Sequence, residues 1–297
     1  MPNFPEFKPL EIRDRETLQK AIWDYQPEIS DISFTNLLIW RAHYDVVWSQ
    51  YKNWFLFVYQ RAGCGLMPVG PPPRIEPTLV LFDHLRKNFG EGSSLERVDS
   101  RLVSELANTG KFGIEPVRDH FDYIYRSEDL KRLAGRKYDA KRNHINIFNK
   151  NNQFTYREIA EKDLLGCLQT ANRWCQLHGC DKNMELHDEY LAIINACNYY
   201  PELGLKGGLI EVNGRIEAFT FGEMLNDRTA VIHVEKADSE IRGLYAVINQ
   251  QFVEHTWVEV PLINREQDLG EPQLRKAKES YYPDHLVEKY RVKLING

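Results

Sequence analysis

Gly208-Leu-Ile-Glu-Val-Asn-Gly-Arg-Ile-Glu-Ala-Phe-Thr-Phe221 is a pair of alternating apolar runs joined by Asn213-Gly214. An Asn-Gly pair in that setting predicts a hairpin, because a type I′ turn needs positive φ at both central positions. A third run, Thr229-Ala-Val-Ile-His-Val-Glu235, follows, so the segment reads as a three-stranded meander. Upstream lie a strand at 154–159 and helices at 163–176 and 184–197. Downstream come a helix at 244–255, a strand at 257–263, a helix opened by Pro272 and a last strand near 290–295.

The first half has the same grammar. A strand at 8–13 precedes helices at 15–25 and 34–44, the first opened by Asp14. Strands follow at 46–51, 54–59 and 65–69, then a helix at 79–88, a strand at 95–98, a helix at 101–107 and a strand at 120–125. A βααβββαβαβ order, present twice, is the order of the GNAT-type acyltransferase fold. The expected class is therefore α+β, with two tandem GNAT-like domains at 1–150 and 151–297, each a mixed, mostly antiparallel sheet flanked by helices.

A chain of 297 residues, 42% hydrophobic and 27% charged, suits an ordinary soluble protein of one large or two medium domains. No apolar run approaches the roughly 18 residues of a membrane span, and Met1-Pro-Asn-Phe-Pro-Glu6 has no signal-peptide pattern. A cytoplasmic location is expected. Five cysteines, scattered from Cys64 to Cys197, do not suggest a disulfide framework. Cys175, His178 and Cys180 lie close together, but Cys175 continues the helix face of Leu164, Leu168 and Ala171 and reads as core, so no metal is expected. No P-loop, Rossmann fingerprint or nucleophile elbow is present. The net charge of −5 argues against coating nucleic acid through a global field, yet residues 127–150 carry seven Lys or Arg against three Asp or Glu.

In the GNAT-type fold the donor enters where the fourth and fifth strands part, and donor phosphates rest at the start of the next helix. In the first copy that place reads Gly70-Pro-Pro-Pro-Arg74, where three residues have no N–H to offer. The second reads Ala237-Asp-Ser-Glu-Ile-Arg-Gly243-Leu-Tyr245. There Ser239, Arg242 and Gly243 are candidate phosphate ligands, and the bland alternative is a helix start capped by Asp238 or Ser239. The second copy is expected to be active and the first degenerate. Position 245 is Tyr where the common acetyl-CoA signature has Gly or Ala.

Val231, His233 and Glu235 share one strand face, so Glu235 or His233 is a candidate general base. Tyr281 or Tyr282 could protonate a leaving group, against the alternative of plain packing. Arg142 falls among Tyr138, Ile145 and Phe148 on a helical projection, and Lys278 interrupts the face of Leu274, Ala277 and Tyr281. Each cation should meet a carboxylate or an anionic ligand, unless its stem packs and its head reaches water. Both are expected in the second copy's cleft, where they or strand N–H groups would hold an oxyanion. Asn264 stands where a strand gives way to a loop.

Leu133-Ala-Gly-Arg-Lys-Tyr-Asp-Ala-Lys-Arg-Asn-His-Ile-Asn-Ile-Phe148 and Asn264-Arg-Glu-Gln-Asp-Leu-Gly270, with Leu274-Arg-Lys-Ala-Lys278 and Ser280-Tyr-Tyr-Pro283, resemble signatures of the phosphatidylglycerol lysyltransferase C-terminal domain family. The likeness spans essentially the whole chain. It implies a tandem GNAT-like architecture related to Fem-type aminoacyltransferases, which move an aminoacyl group from charged tRNA to a lipid hydroxyl or a peptide amine. By position, Lys141, Arg142, Asn143, Asn264, Arg265, Glu266, Asp268, Arg275 and Lys278 would belong to the substrate region. The family's lipid-modifying members carry a large membrane domain absent from this sequence. The expected donor is aminoacyl-tRNA, met through 127–150, with no tightly bound cofactor. The acceptor would be a small amine, a peptide or a lipid reached by peripheral membrane contact. The rivals are a CoA-dependent N-acyltransferase acting on a small amine and a non-catalytic binder of an anionic ligand.

Overall fold

The hairpin forms as the sequence predicts in the computed structural model, which describes residues 1–295. Asn213 and Gly214 take φ of 52° and 76°, and strands Lys206–Val212 and Arg215–Met224 pair antiparallel on either side of them. Strand Thr229–Ala237 completes the meander.

The chain forms two compact units, and neither is one run of sequence. The first comprises Met1–Asp122, Gln267–Arg275 and Leu286–Gly297, the second Tyr123–Glu266 and Lys276–His285. A cut at 150/151 therefore does not divide them. Each sheet takes a strand from the other half of the sequence, a long-range exchange that local patterning does not encode.

The sheet of the first unit runs in spatial order Lys8–Pro9, Val46–Tyr51, Trp54–Tyr59, Cys64–Gly65, Leu95–Val98, Tyr290–Leu294 and Phe112–Pro116. That of the second runs His285–Val287, Asp122–Arg126, Leu262–Asn264, Thr229–Ala237, Arg215–Met224, Lys206–Val212 and Phe154–Glu158. Each contains a parallel pair: Cys64–Gly65 beside Leu95–Val98, and Thr229–Ala237 beside Leu262–Asn264. A parallel pair needs a crossover. In the second unit helix Leu244–Thr256 supplies it, burying Leu244, Val247, Ile248, Phe252 and Val253. Each such side chain contributes about 1.5–3 kcal/mol on burial.

Local chemistry explains several differences from the sequence reading. The expected strand at 257–263 is confined to Leu262–Asn264, because Trp257 is buried at the helix end and Pro261 has no N–H to donate. The expected helix at 79–88 starts earlier, as Ile75–Phe89, with Pro77 in its first turn. The strand at 65–69 shrinks to Cys64–Gly65, with Val69 bridging Phe55 beyond Pro68. Cys175 is buried, as expected, but bonded to Cys180; Cys64, Cys167 and Cys197 are free and buried. Among the described residues no helix is long and apolar enough to cross a membrane.

Candidate functional site

The parallel pairing in the second unit ends at Val231 and Asn264, while the longer strand continues to Ala237. The two chains part there and leave a fork. Asn264 is fully buried, and its side-chain oxygen accepts the Glu266 N–H at 2.7 Å. Glu266 sits at φ 57°. This tight turn brings Arg265 and Glu266 back against the strand.

His233 lies between two carboxylates, Nε2 at 3.0 Å from Glu223 and Nδ1 at 2.9 Å from Glu266. Burial alone would push its pKa down. The hydrogen bonds and charges of Glu223 and Glu266 outweigh that and raise it from 6.5 to about 10. The ring is therefore an imidazolium at neutral pH, and the expectation of a His233 general base gives way to a buried charge. Because the folded pKa exceeds the unfolded one, this contribution to stability is full below pH 6.5 and is lost as pH rises through about 10. Urea midpoints of the wild type should fall across that interval. His233→Gln should be less stable at pH 6 and lose that slope; an unchanged slope would refute the assignment.

Two residues on, Glu235 Oε1 pairs with Arg265 Nη2 at 2.9 Å and Oε2 accepts from Asn249 Nδ2 at 3.0 Å. Both oxygens are engaged, so Glu235 orients Arg265 and is not an idle base. Arg265 lies 4.9 Å from the Tyr281 ring centre and 5.6 Å from that of Tyr125. Its Nη1 and Oδ1 of Asn249 are buried without a partner among the described residues. Lys141 Nζ stands 3.9 Å from the Tyr281 ring centre. Burial, then the charge of Arg265, lower the Lys141 pKa from 10.5 to about 8. Burial raises the Tyr281 phenol to about 12, so it holds its proton.

Lys278 is buried, and its ammonium donates to the carbonyls of Arg265 and, at 3.2 Å, Glu266. It pins the turn that carries both side chains. Arg142 does not join it in the fork. Its guanidinium donates to the carbonyls of Leu133 and, at 2.8 Å, Gly135, and to Asp139. Leu133 ends helix Ser127–Arg132 in a left-handed conformation, leaving carbonyls that need donors. The cation at the fork is Lys141, one residue earlier. Asn143 is exposed.

Beyond the strand, Ser239 and Arg242 are exposed on the loop before helix Leu244–Thr256. Gly243 has φ 92°, and a Cβ there would lie 2.3 Å from the His144 carbonyl oxygen. That glycine admits the backbone of helix Asp139–Asn151, not the ligand the sequence reading assigned to it. At the corresponding place in the first unit, Arg74 is buried and Glu105 accepts from both its backbone N–H and its guanidinium. A carboxylate of the chain itself sits at that helix start.

Asp268 and Arg275 also lie in the first unit. Asp268 is fully buried and accepts from Arg275 Nε at 2.7 Å, Gly270 N at 2.9 Å and Arg118 Nη1 at 3.3 Å. They knot a loop; the fork of the second unit is built without them. Glu223, Asn249 and Tyr125 escaped the sequence reading because their partners are distant in sequence. The one available signal for Glu223 was its acidic side chain at a buried strand position.

The family described as phosphatidylglycerol lysyltransferase, C-terminal, matches residues 24–293. A conserved protein of unknown function from Bacteroides thetaiotaomicron is 34% identical, with TM-score 0.88 over 97% of this chain and 99% of that one. The C-terminal domain of a candidate lysylphosphatidylglycerol synthetase from Agrobacterium fabrum has TM-score 0.65 at 12% identity, covering 97% and 93%. FemX has TM-score 0.59 at 8% identity, covering 98% of each chain. The last two share the fold. With the family matched over nearly its full length and a tandem GNAT-like fold beneath it, the chain belongs to the phosphatidylglycerol lysyltransferase C-terminal family.

Proposed function

We propose that this transferase moves an aminoacyl group from aminoacyl-tRNA to an amine or hydroxyl acceptor at the fork of the second unit. The observation that carries the reading is Arg265, a buried guanidinium with one N–H group unpartnered among the described residues and set between Tyr281, Glu235 and Lys141. Such a donor suits an ester carbonyl that gains negative charge as it is attacked. The acceptor nitrogen or oxygen forms a bond to the carbonyl carbon, and Lys141, the most weakly held cation of the site, takes the acceptor's proton. The ester C–O bond then breaks, and the ribose oxygen takes a proton from the Tyr281 phenol. Arg242 and Ser239, exposed on the loop before helix Leu244–Thr256, would receive the donor phosphates. Exposed Arg136 and Lys150 lie in the basic segment 127–150, where Glu128, Asp129 and Asp139 are already paired with Arg132, Lys137 and Arg142.

The test is transfer of a labelled aminoacyl group from bulk charged tRNA to amine, peptide and lipid acceptors. Transfer is expected from charged tRNA only; no transfer, with no stabilisation by charged over uncharged tRNA, would remove the reading. A pH profile adds a second check. A base must be neutral, so the rate should rise with pH through about 8, the Lys141 value. Lys141→Arg should abolish that limb and lower the rate by about 10²–10⁴-fold. An unaltered profile in this variant would clear Lys141 of the role.

The rival acyl-CoA reading rests on the exposed Ser239 and Arg242 loop. Titration with acetyl-CoA tests it directly.

A further inference from the structure

Tyr281 and Tyr282 are consecutive, and the turn after helix Pro272–Glu279 sends one inward and one outward. Tyr281 is buried against Lys141 and Arg265, whereas Tyr282 leaves 47% of its surface exposed. Tyr282 takes φ 52°, a left-handed conformation that bulky residues rarely adopt. Three hydrogen bonds hold it there. The Tyr281 N–H donates to the Lys278 carbonyl at 3.1 Å, the Tyr282 N–H to that of Glu279 at 2.9 Å, and the hydroxyl of buried Tyr138 to the Tyr281 carbonyl at 3.0 Å. The backbone thus presents the outer ring to solvent. Cations stand beside it. Lys137 Nζ lies 5.4 Å from the Tyr282 ring centre and 4.9 Å from that of Tyr138, whose ring stands at right angles to Tyr282, 5.5 Å away. Lys137 meets Asp129 only at 3.8 Å, with both side chains half-exposed, a weakly held pair. Arg136 is exposed next to it. Lys141, the cation against Tyr281, follows Lys137 by one helical turn, about 6 Å along the axis. Two Lys–Tyr pairs therefore lead from the surface into the fork.

We infer that Tyr282 is a stacking platform for the 3′-terminal base of the donor RNA, with Lys137 and Arg136 beside it to attract the strand. Every base has a π-face that stacks on an exposed aromatic ring, and cations next to the ring draw in the phosphate backbone. The spacing suits the chemistry. The ester sits on the ribose of that terminal nucleotide and must meet Arg265 and Lys141, both of which touch Tyr281, the residue before Tyr282. A base held outside on Tyr282 leaves the ribose at the rim and directs its ester inward. In an acyl-CoA a long arm separates the base from the thioester, so the same stacking would not deliver the acyl group. This inference rests on the aminoacyl-transfer reading, of which it specifies how the donor is held.

The experiment is equilibrium binding of bulk tRNA, intact and with its 3′-terminal nucleotide removed, to the wild type, Tyr282→Phe and Tyr282→Asn, with melting curves for each. Asparagine tolerates the left-handed region, so Tyr282→Asn removes the ring and keeps the turn. The wild type and Tyr282→Phe should bind intact tRNA about fivefold or more tightly than trimmed tRNA, and Tyr282→Asn should bind the two alike. Trimmed tRNA should bind all three proteins equally, a pattern that a merely structural tyrosine would not produce. A wild type that does not distinguish the two RNAs overturns the inference. So does a folded Tyr282→Asn that still distinguishes them, or a Tyr282→Phe that does not. If Tyr282→Asn does not fold, Tyr282→Gly carries the same expectation, and the wild-type comparison stands by itself. Sedimentation with phosphatidylglycerol vesicles covers the other use of an exposed tyrosine beside lysines: loss of vesicle binding in Tyr282→Asn, with its discrimination between RNAs unchanged, would assign the ring to a membrane surface and overturn the inference. Transfer from charged tRNA by the wild type is scored separately, so intact transfer by a protein that ignores the terminal nucleotide in binding would sink this inference and leave the proposed function in place.

Discussion

Arg265→Lys should lower aminoacyl transfer by about a hundred- to a thousandfold while leaving the protein folded. The change keeps a positive charge opposite Glu235, which Arg265 meets at 2.9 Å, so that half-buried carboxylate is not stranded. What disappears is the planar fork. Arginine presents one edge to Glu235, its face to Tyr281 and Tyr125, and a further N–H group with no partner among the described residues. A lysine ammonium cannot meet all of these directions from one point charge. Removing one preorganised donor to a developing oxyanion typically costs about 10²–10³ in turnover. Arg265→Met is a different experiment. It leaves the half-buried Glu235 without its cation, which destabilises the fold, so lost activity there would not separate chemistry from folding. The decisive comparison is Arg265→Lys against wild type at equal melting temperature. Activity within about threefold, less than roughly 1 kcal/mol of barrier, would remove Arg265 from the reaction.

How far that site could be read from the sequence depended on the range of the interactions. The fold was legible because its signals are local: Asn213-Gly214 dictates a hairpin, and the apolar periods on either side place strands and helices. Strand Phe112–Pro116 was not legible, since a five-residue run containing Gly113 and Pro116 reads as a loop. The strand exchange between halves leaves no local trace at all. In the site, Glu235, Lys278 and Tyr281 stood out as polar groups on otherwise apolar faces. Their partners did not. Glu235 meets Arg265 and Asn249 only after the strand, the helix and the turn have packed. Helical projection chose Arg142 over Lys141 because it ignores the carbonyls left open at Leu133 and Gly135, which claim the longer side chain. The imidazolium state of His233 follows from Glu223 and Glu266, 10 and 33 residues away. The fork is assembled by tertiary structure around residues whose chemistry, but not whose company, is written in the chain.

The largest effect on stability is expected from Lys289→Met, in the first unit. Lys289 is fully buried, with its ammonium 2.6 Å from Asp122, 3.1 Å from the Gln267 side-chain oxygen, and bonded to Asp31. Arg97 Nε lies 2.8 Å from the other oxygen of Asp31. The two carboxylates are thus matched by two cations, and removing Lys289 leaves one carboxylate uncompensated. A stranded buried charge costs about 3–5 kcal/mol, a large share of the roughly 5–15 kcal/mol that holds a typical domain together. The pH dependence identifies the cause. Burial pushes the Asp31 pKa up, but Lys289 and Arg97 outweigh it and hold it below 3.8. In the wild type Asp31 therefore contributes stability above pH 3.8, and that contribution is lost as pH falls through its folded pKa. In Lys289→Met one of those opposing charges is gone and burial dominates. Its folded pKa should then exceed the unfolded one, and the sign reverses: acidification should stabilise the variant where it destabilises the wild type. Adding Asp122→Asn should recover part of the loss, because it removes the charge that Lys289 matched. Urea titrations from pH 7 down to below pH 3.8 read all three expectations. A single variant within about 1 kcal/mol of wild type, an ordinary surface effect, with the same pH slope, would mean that this buried network is neutral and that apolar packing alone holds the first sheet to its last strand.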